Sequence, residues 1–182
     1  IYDYCVDITR IFYADKKPST QQKEIFQIVH QAQNEAIEMA RPGIEWHECH
    51  KAAAQVIGQG LIDLGLVRGS LQEILELGVL GQFFPHGVGH MVGQRVRDVG
   101  GAVMGRQGRK VYGNGVRVDL PLEENFLMTF EPGLYFIEAL LMQDKNREKY
   151  KDFIQYSKID SWLNFGGIRI EDDVLIRESG NI

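Results

Sequence analysis

The sequence predicts an α+β fold in which helices come first and an antiparallel sheet follows. Before residue 83, apolar residues recur at helical spacing, whereas after it glycine becomes frequent and the apolar residues gather in short β-rich runs. No internal repeat and no low-complexity linker divides the chain. We therefore expect all 182 residues to belong to a single unit.

The composition is that of an ordinary globular protein, with 44% hydrophobic and 25% charged residues. A net charge of -5 argues against a nucleic-acid partner, because affinity for phosphates comes from clustered Lys and Arg. The basic run over residues 106 to 110 is therefore interpreted as a solvated loop. No apolar run approaches the roughly 20 residues of a membrane span. The two cysteines, Cys5 and Cys49, form no CxxC pair, so we expect a reducing, cytoplasmic location.

The first segment alternates between apolar and polar residues. Tyr4, Val6 and Ile8 share one parity, which predicts a half-buried strand over residues 3 to 10 with Asp7 pointing away from its apolar face. Because the alternation is under way from the start, we expect a fragment whose upstream part is missing.

Three helices are predicted next. Ser19 and Gln22 fit a capping box that begins the first helix, which ends at Pro42-Gly43. A second helix spans about residues 46 to 64, and Ser70 begins a short third one.

The later half of the chain contains the predicted strands. They lie in four β-rich runs, at residues 116 to 118, 126 to 130, 134 to 137 and 168 to 176. Between the last two, residues 143 to 158 are charged and helix-prone, and we expect them to form a surface excursion.

Two histidine-containing stretches resemble known motifs but fit them poorly. Residues 46 to 50, WHECH, lack the i, i+4 spacing of a zinc-binding HExxH helix, so we interpret them as a partly exposed helix face. Residues 87 to 93 miss the GxGxxG dinucleotide pattern by one position and follow no βαβ unit.

Acidic residues at strand positions are the stronger candidates for chemistry. Glu131 ends a predicted strand opposite its main apolar row, and Arg169 and Glu171 share the polar parity of the last run. If the sheet brings the strands together, Asp7, His90, Glu131 and Glu171 converge as three carboxylates and one imidazole. Such a set suits divalent cations, and without a metal the carboxylates would repel one another.

Several ordered motifs resemble one protein family. An opening YCVDITRIF is followed by PHGVGHMVG, DVGG, TFEPGLYF and FGGIRIEDD. Together they closely resemble the catalytic domain of the prolidase and Xaa-Pro aminopeptidase group of dinuclear metallopeptidases, over essentially the whole chain. The resemblance implies the pita-bread fold, a curved antiparallel sheet with helices on its outer face. It also implies that residues 1 to 182 are one partial catalytic domain, since a further aspartate ligand would lie upstream of residue 1.

The resemblance assigns the family's metal ligands to Asp7, His90, Glu131 and Glu171, with the two glutamates as the bridging and terminal carboxylates. It implies two divalent cations, with Mn²⁺ expected first and Co²⁺ or Zn²⁺ as alternatives. A hydroxide shared by the cations would attack the peptide carbonyl. Glu131 would carry the proton from the water to the leaving proline nitrogen.

The resemblance also implies the substrate groups. His86 matches the family's substrate-side catalytic histidine, and Arg169 matches an arginine that supports the carboxylates. Arg97 departs from the pattern, because the family usually reads HDVGG where this chain reads RDVGG. An arginine stays protonated and cannot act as a base, so we expect Arg97 to shift or lower activity. Gripping a substrate carboxylate, or a plain surface role, are its other interpretations.

The implied activity is hydrolysis of X-Pro dipeptides or removal of an N-terminal residue before proline. A proline-containing dipeptide or short peptide is thus the expected partner, with no nucleic acid and no membrane, and a homodimer is an open expectation. One alternative is a catalytically impaired peptidase-like module that binds a peptide or protein. Another is a hydrolase on the same fold that acts on an ester or small amide.

Overall fold

A computed structural model describes residues 3–14, 17–101 and 104–182. The first half is helical, as the sequence predicts. Two long helices, α1 (Thr20–Met39) and α2 (Trp46–Asp63), are followed by the short α3 (Leu71–Glu76) and a 3₁₀ turn at Val79–Gln82. The predicted capping boxes are present at the first residues of α1 and α3. None of the helices in the described ranges is long and apolar enough to cross a membrane.

The α1 and α2 helices pack against each other through apolar faces. Ile25, Val29 and Ala36 of α1 are fully buried, as their helical spacing predicts. On the other side, Gly60 of α2 lies so near Ile28 that a Cβ would come within 2.7 Å of its side chain. This close approach sets the spacing of α1 and α2 in the helix layer against which the strands pack.

The WHECH stretch is more buried than the sequence predicts. Trp46, Cys49 and His50 are all 0% exposed, whereas His47 and Glu48 keep partial exposure, so the predicted partly exposed face is confined to these two residues. A later segment lies against the first residue of the helix, since the Trp46 N–H donates to the carbonyl of Leu120. Packing of the two halves therefore covers this end of α2.

All strand pairs are antiparallel, as expected, but they are short. Within the described residues, the six strands are β1 (Arg109–Val111), β2 (Asn114–Val116), β3 (Leu127–Phe130), β4 (Gly133–Tyr135), β5 (Gly167–Arg169) and β6 (Asp172–Leu175). Strand β1 pairs with β2, β3 with β6, and β4 with β5.

The β3–β6 and β4–β5 pairs form one ladder with a gap in the middle. Phe130 lies opposite Asp172, and Gly133 lies opposite Arg169, so both pairs keep the same register. Continuing that register through the gap places Glu131 opposite Glu171. The run over residues 168 to 176, predicted as one strand, is therefore two strands interrupted at its glutamate.

Between β4 and β5 lies the predicted helical excursion, with α4 (Glu138–Leu141), α5 (Asp144–Tyr150) and α6 (Tyr156–Ile159). It is less superficial than expected. Ile154 is buried and pairs with Val67 in an isolated bridge, and Phe136 stacks on Trp162 with ring centroids 4.7 Å apart. The excursion thus extends the hydrophobic core.

The opening segment corrects the prediction of a half-buried strand over residues 3 to 10. The alternation is present, but Tyr4, Val6 and Ile8 are 59%, 63% and 55% exposed, while the polar parity faces the protein. Instead of a strand, the segment has one bridge between Thr9 and Glu171. The polar residues turn inward because they meet the polar groups of the ladder gap.

The basic run over residues 106 to 110 is solvent-exposed at Gln107, Gly108 and Lys110, as expected, but its two arginines are paired within the protein. Arg106 and Arg109 both donate to Asp119, at 3.1 and 2.8 Å, and Arg106 also pairs with Glu45 at 2.7 Å. Opposite charges brought in from distant positions, which the local sequence does not reveal, hold this run to the protein surface.

Candidate metal centre and cleft

At the gap in the ladder, the carboxylates of Glu131 and Glu171 belong to neighbouring strands that are not hydrogen bonded to each other. The Glu131 N–H donates to the carbonyl of Val88 at 2.7 Å, and Glu171 exchanges backbone hydrogen bonds with Thr9 at 3.1 and 3.2 Å. Each glutamate is therefore paired with a third segment instead of with the opposite strand. The segments that carry His90 and Asp7 are brought to the site in this way.

His90 is held in a defined orientation. Its backbone N–H donates to the Thr129 hydroxyl at 2.9 Å, and Gly89 lies so close to Thr129 that a Cβ would come within 1.9 Å of its carbonyl oxygen. The ring Nδ1 lies 3.0 Å from the Met91 carbonyl. Because a carbonyl only accepts, Nδ1 carries the proton and Nε2 is the bare nitrogen, which is the form that binds a metal.

The bare nitrogen faces two carboxylates. His90 Nε2 lies 3.5 Å from Asp7 Oδ2 and 3.5 Å from Glu131 Oε1. Ligand atoms of Asp7, His90 and Glu171 all lie within 4.8 Å of one another. The four predicted metal ligands are thus brought together, with Glu131 joined to the set through His90.

These side chains fit a divalent cation. His90 Nε2 and Glu171 Oε1 are buried atoms without a hydrogen-bond partner among the described residues, a costly arrangement unless something else binds them. The other Glu171 oxygen, Oε2, accepts from the Thr9 hydroxyl at 2.6 Å, which orients the carboxylate. His90 Nε2 and Glu171 Oε1 therefore each keep an unused lone pair, with no donor among the described residues.

Crowding of acids changes their protonation. Burial, and then the neighbouring charge of Glu171, raises the pKa of Glu131 above its ordinary range. Burial and the nearby Asp7 also raise the pKa of Asp173, which accepts the Asp7 backbone N–H at 3.1 Å. Arg169, whose Nε lies 3.8 Å from both Glu131 and Glu171, offsets part of this repulsion.

A cleft of about 430 Å³ adjoins the cluster. It is lined by His86, His90, Glu131 and three arginines, Arg97, Arg117 and Arg169, together with neighbouring glycines and Pro85. The predicted substrate-side residues therefore share one cavity with two of the predicted metal ligands, His90 and Glu131.

His86 faces the cleft but is occupied within the protein. Its Nδ1 lies 2.8 Å from the Gly87 carbonyl, which only accepts, so Nε2 accepts from the Tyr135 hydroxyl at 2.9 Å. Burial lowers the pKa of His86, which favours the neutral ring. These contacts distinguish His86 from the candidate ligand His90, although both belong to one motif.

Arg117 is a cleft residue that the sequence analysis missed. It lies between Val116 and Val118, both buried, so the alternation turns its side chain to the opposite face. That alternation was visible in the sequence, but its link to the cleft depends on the hairpin of β1 and β2 lying beside His86. Nothing local indicates that placement.

The chain belongs to metallopeptidase family M24, whose sequence model matches residues 1–178. Among known relatives, a probable Xaa-Pro aminopeptidase of Aspergillus clavatus is 37% identical over 177 residues, covering 97% of this chain and 38% of that protein. A Xaa-Pro dipeptidase of Shewanella oneidensis is 36% identical over 184 residues, covering 99% of this chain and 41% of that protein. The chain thus spans about two fifths of the length of these relatives.

Solved structures agree with the predicted fold. Aminopeptidase PepP of Pseudomonas aeruginosa has a TM-score of 0.74 and 32% identity, covering 100% of this chain and 35% of that chain. Zinc-substituted aminopeptidase P of Escherichia coli, in complex with product, has a TM-score of 0.73 and 29% identity, covering 99% of this chain and 34% of that chain. The α+β architecture is therefore the pita-bread fold of the aminopeptidase P catalytic domain.

Proposed function

We propose that the full-length protein containing this chain is a divalent-metal-dependent peptidase that cleaves X-Pro bonds, and that residues 1 to 182 are part of its catalytic domain. The observation that carries the proposal is the convergence of Asp7, His90, Glu131 and Glu171 around buried, unpartnered ligand atoms. The names of the relatives, Xaa-Pro aminopeptidase and Xaa-Pro dipeptidase, support the substrate class.

Asp7, His90, Glu131 and Glu171 would hold two divalent cations, with Mn²⁺ preferred and Co²⁺ or Zn²⁺ as alternatives. Three carboxylates and one imidazole suit any of these ions. When bound, the cations supply Lewis-acid chemistry, lowering the pKa of water toward about 7 and polarising the scissile carbonyl.

Glu131 is proposed as the proton carrier. Its carboxylate lines the cleft next to His90, and a carboxylate can accept a proton and then release it. It would take the proton of the attacking water and deliver it to the proline nitrogen as the peptide bond breaks.

The remaining cleft residues would bind the substrate. His86 would contact the reacting peptide group by exchanging its hydrogen bond with the Tyr135 hydroxyl for one with the substrate. Arg169 would steady the carboxylates of Glu131 and Glu171. Arg97 and Arg117 add two guanidinium groups at the cleft, and a guanidinium fork matches a carboxylate.

This cationic lining favours a substrate whose free carboxylate lies near the scissile bond, as in an X-Pro dipeptide. Proline itself accounts for a dedicated site, because its missing N–H and fixed φ disfavour the extended pairing that general peptidases use. A cytoplasmic location is part of the proposal, supported by the absence of a disulfide between Cys5 and Cys49.

The test uses the full-length protein. Metal content is measured after purification, and proline release from Ala-Pro and Gly-Pro is followed with added Mn²⁺, beside the tripeptide Ala-Pro-Gly. Bound divalent metal with Mn²⁺-dependent release supports the proposal. A protein that binds no divalent ion and releases no proline overturns it.

Arg97 favours a second candidate, a peptidase-like module that binds peptides without cleaving them. Its guanidinium lies in the cleft where the family pattern has a titratable histidine, and it cannot exchange a proton. Metal binding with no turnover, together with measurable affinity for Ala-Pro, would support this function over the first.

A further inference from the structure

One buried polar residue of the helix layer contacts both glutamate-bearing strands. Gln33 lies on the inner face of α1 and is 3% exposed, among residues that are otherwise apolar. A buried amide is costly unless it is hydrogen bonded, so its partners indicate why it is there.

The Gln33 side-chain amide bridges the ladder at its gap. Nε2 donates to the Phe130 carbonyl at 2.8 Å and to Asp172 Oδ2 at 3.1 Å. Phe130 and Asp172 are register partners at the end of the β3–β6 pair. Glu131 follows the first of them, and Glu171 precedes the second. One NH₂ group therefore joins the two strands at the position next to both glutamates.

Asp172 extends this bridge to a third segment. Its Oδ1 pairs with Arg10 at 2.5 Å, and Arg10 Nη1 donates to the carbonyl of Glu171 at 2.9 Å. Asp172 is thus held from the helix side by Gln33 and from the opening segment by Arg10. Both contacts act on the backbone that carries Glu171.

The two glutamates need such a restraint. They face each other across a gap where no ladder hydrogen bond fixes their separation, and their charges repel before a cation arrives. Gln33 is neutral, so it holds the strands without altering the charge that a cation meets. Its two amide hydrogens match the two acceptors, which a carboxylate or an apolar side chain would not.

We propose that Gln33 is a positioning residue of the metal centre, setting the separation of Glu131 and Glu171 from the helix layer without touching the ions. This inference rests on the proposed function, because it requires that the glutamates bind cations. It predicts that replacing Gln33 lowers the affinity for Mn²⁺, whatever change it makes to the melting temperature.

The experiment titrates Mn²⁺ into metal-free full-length protein by calorimetry and measures the melting temperature of the same samples. Gln33→Met keeps the length of the side chain and removes the donor. We expect Mn²⁺ affinity to fall about 10- to 100-fold, the range for groups that orient a ligand. The matched control is Val29→Ala, one turn earlier on the same buried face, which should lower the melting temperature and leave Mn²⁺ affinity unchanged.

Gln33→Glu serves as the second variant, and decides the matter if Gln33→Met does not fold. It keeps the shape of the side chain but sets a carboxylate against Asp172, so we expect at least the same loss of affinity. Unchanged affinity in a folded Gln33 variant, or an equal loss in Val29→Ala, overturns the positioning role while the proposed function stands. Wild-type protein that binds no Mn²⁺ overturns the proposed function itself, and the positioning role with it.

Discussion

Two buried histidines in this chain look alike until their surroundings are compared. His50, on α2, is 0% exposed; among the described residues its ring packs 5.2 Å from that of Phe84 and meets the backbone of Val111. His90 is also buried, but Nδ1 is bonded to Met91 and the bare Nε2 faces two carboxylates. A buried imidazole thus indicates a cation only where acidic groups share its surroundings.

The two environments have opposite electrostatic consequences. Burial, followed by the charges of His86 and His47, lowers the pKa of His50 to about 4, so this ring stays neutral and serves as packing. At the ladder gap, burial and repulsion raise the pKa of Glu131, and a cation would relieve both costs. The helix layer therefore accommodates a neutral ring, while the gap gathers acids whose charge a cation would offset.

The largest expected effect is the loss of metal binding when His90 is removed. In full-length protein, His90→Ala should weaken Mn²⁺ binding by at least about 100-fold, because loss of a direct ligand costs no less than loss of a group that orients one. X-Pro hydrolysis should be lost with it. Calorimetry and a proline-release assay measure the two effects.

His50→Leu is the matched variant for that comparison, since it removes a buried histidine outside the acidic cluster. Its Mn²⁺ affinity should equal that of the wild type. If both variants lost metal to the same degree, the distinction between the two regions would be wrong.

The next effect is on stability as the pH falls. The unfolded His50 binds a proton near its ordinary pKa of 6.5, whereas the folded ring does so only at about 4, so stability is fully present above 6.5 and declines below it. The loss on reaching pH 4 is about 3 kcal/mol. Urea unfolding at several pH values should show this component in the wild type and in His30→Gln, an exposed control. Its persistence in His50→Leu would refute the assignment to His50.

A smaller effect is expected in the cleft. Arg97→His removes a fixed positive charge beside the cation site and restores a group that exchanges protons, so kcat/KM for Ala-Pro should rise about tenfold, equivalent to about 1.4 kcal/mol. Arg95→His, at an exposed position that does not line the cleft, is the control and should change nothing. If Arg97→His hydrolysed Ala-Pro at the wild-type rate, Arg97 would have a plain surface role and no influence on activity.

The smallest expected effect concerns the stability of metal-free protein. Because the pKa of folded Glu131 is raised, its contribution to stability is fully present below its ordinary value of 4.5 and is lost as the pH rises through the raised pKa. Glu131→Gln should remove this decline and make the metal-free protein more stable than wild type at neutral pH. Denaturant midpoints of the two proteins measure this difference in stability, with the exposed Glu123→Gln as control. A Glu131→Gln protein that is less stable than wild type would contradict the prediction.

Much of the fold was predictable because its determinants are local. Ser19 with Gln22, and Ser70 with Glu73, form the expected capping boxes, and the apolar face of α1 follows its helical period. The interruption of the last run at Glu171 was not predictable. The apolar row of this run is interrupted at Asp172, but the break itself depends on the bridge between Glu171 and Thr9, which divides β5 from β6.

The candidate site shows the same division. The residue types and order of Asp7, His90, Glu131 and Glu171 predicted that these side chains converge, and the structure brings them together; their role as metal ligands stays a prediction. Gln33 and Arg117 were missed, since a glutamine in an amphipathic helix and an arginine between valines have no distinctive local pattern. Their roles appear only when α1 and the β1–β2 hairpin are placed against the ladder.

The sequence by itself determined the helices, the strand-forming runs and the chemical character of the ligands, because helix caps and side-chain periodicity depend on neighbours within a few positions. Only the tertiary structure decided which way the opening segment faces and where the ladder breaks. Those choices depend on partners such as Asp7 and Asp173, which are 166 positions apart and bonded through one backbone N–H. Contacts at that separation are selected by the packing of the whole chain, so no local pattern can encode them.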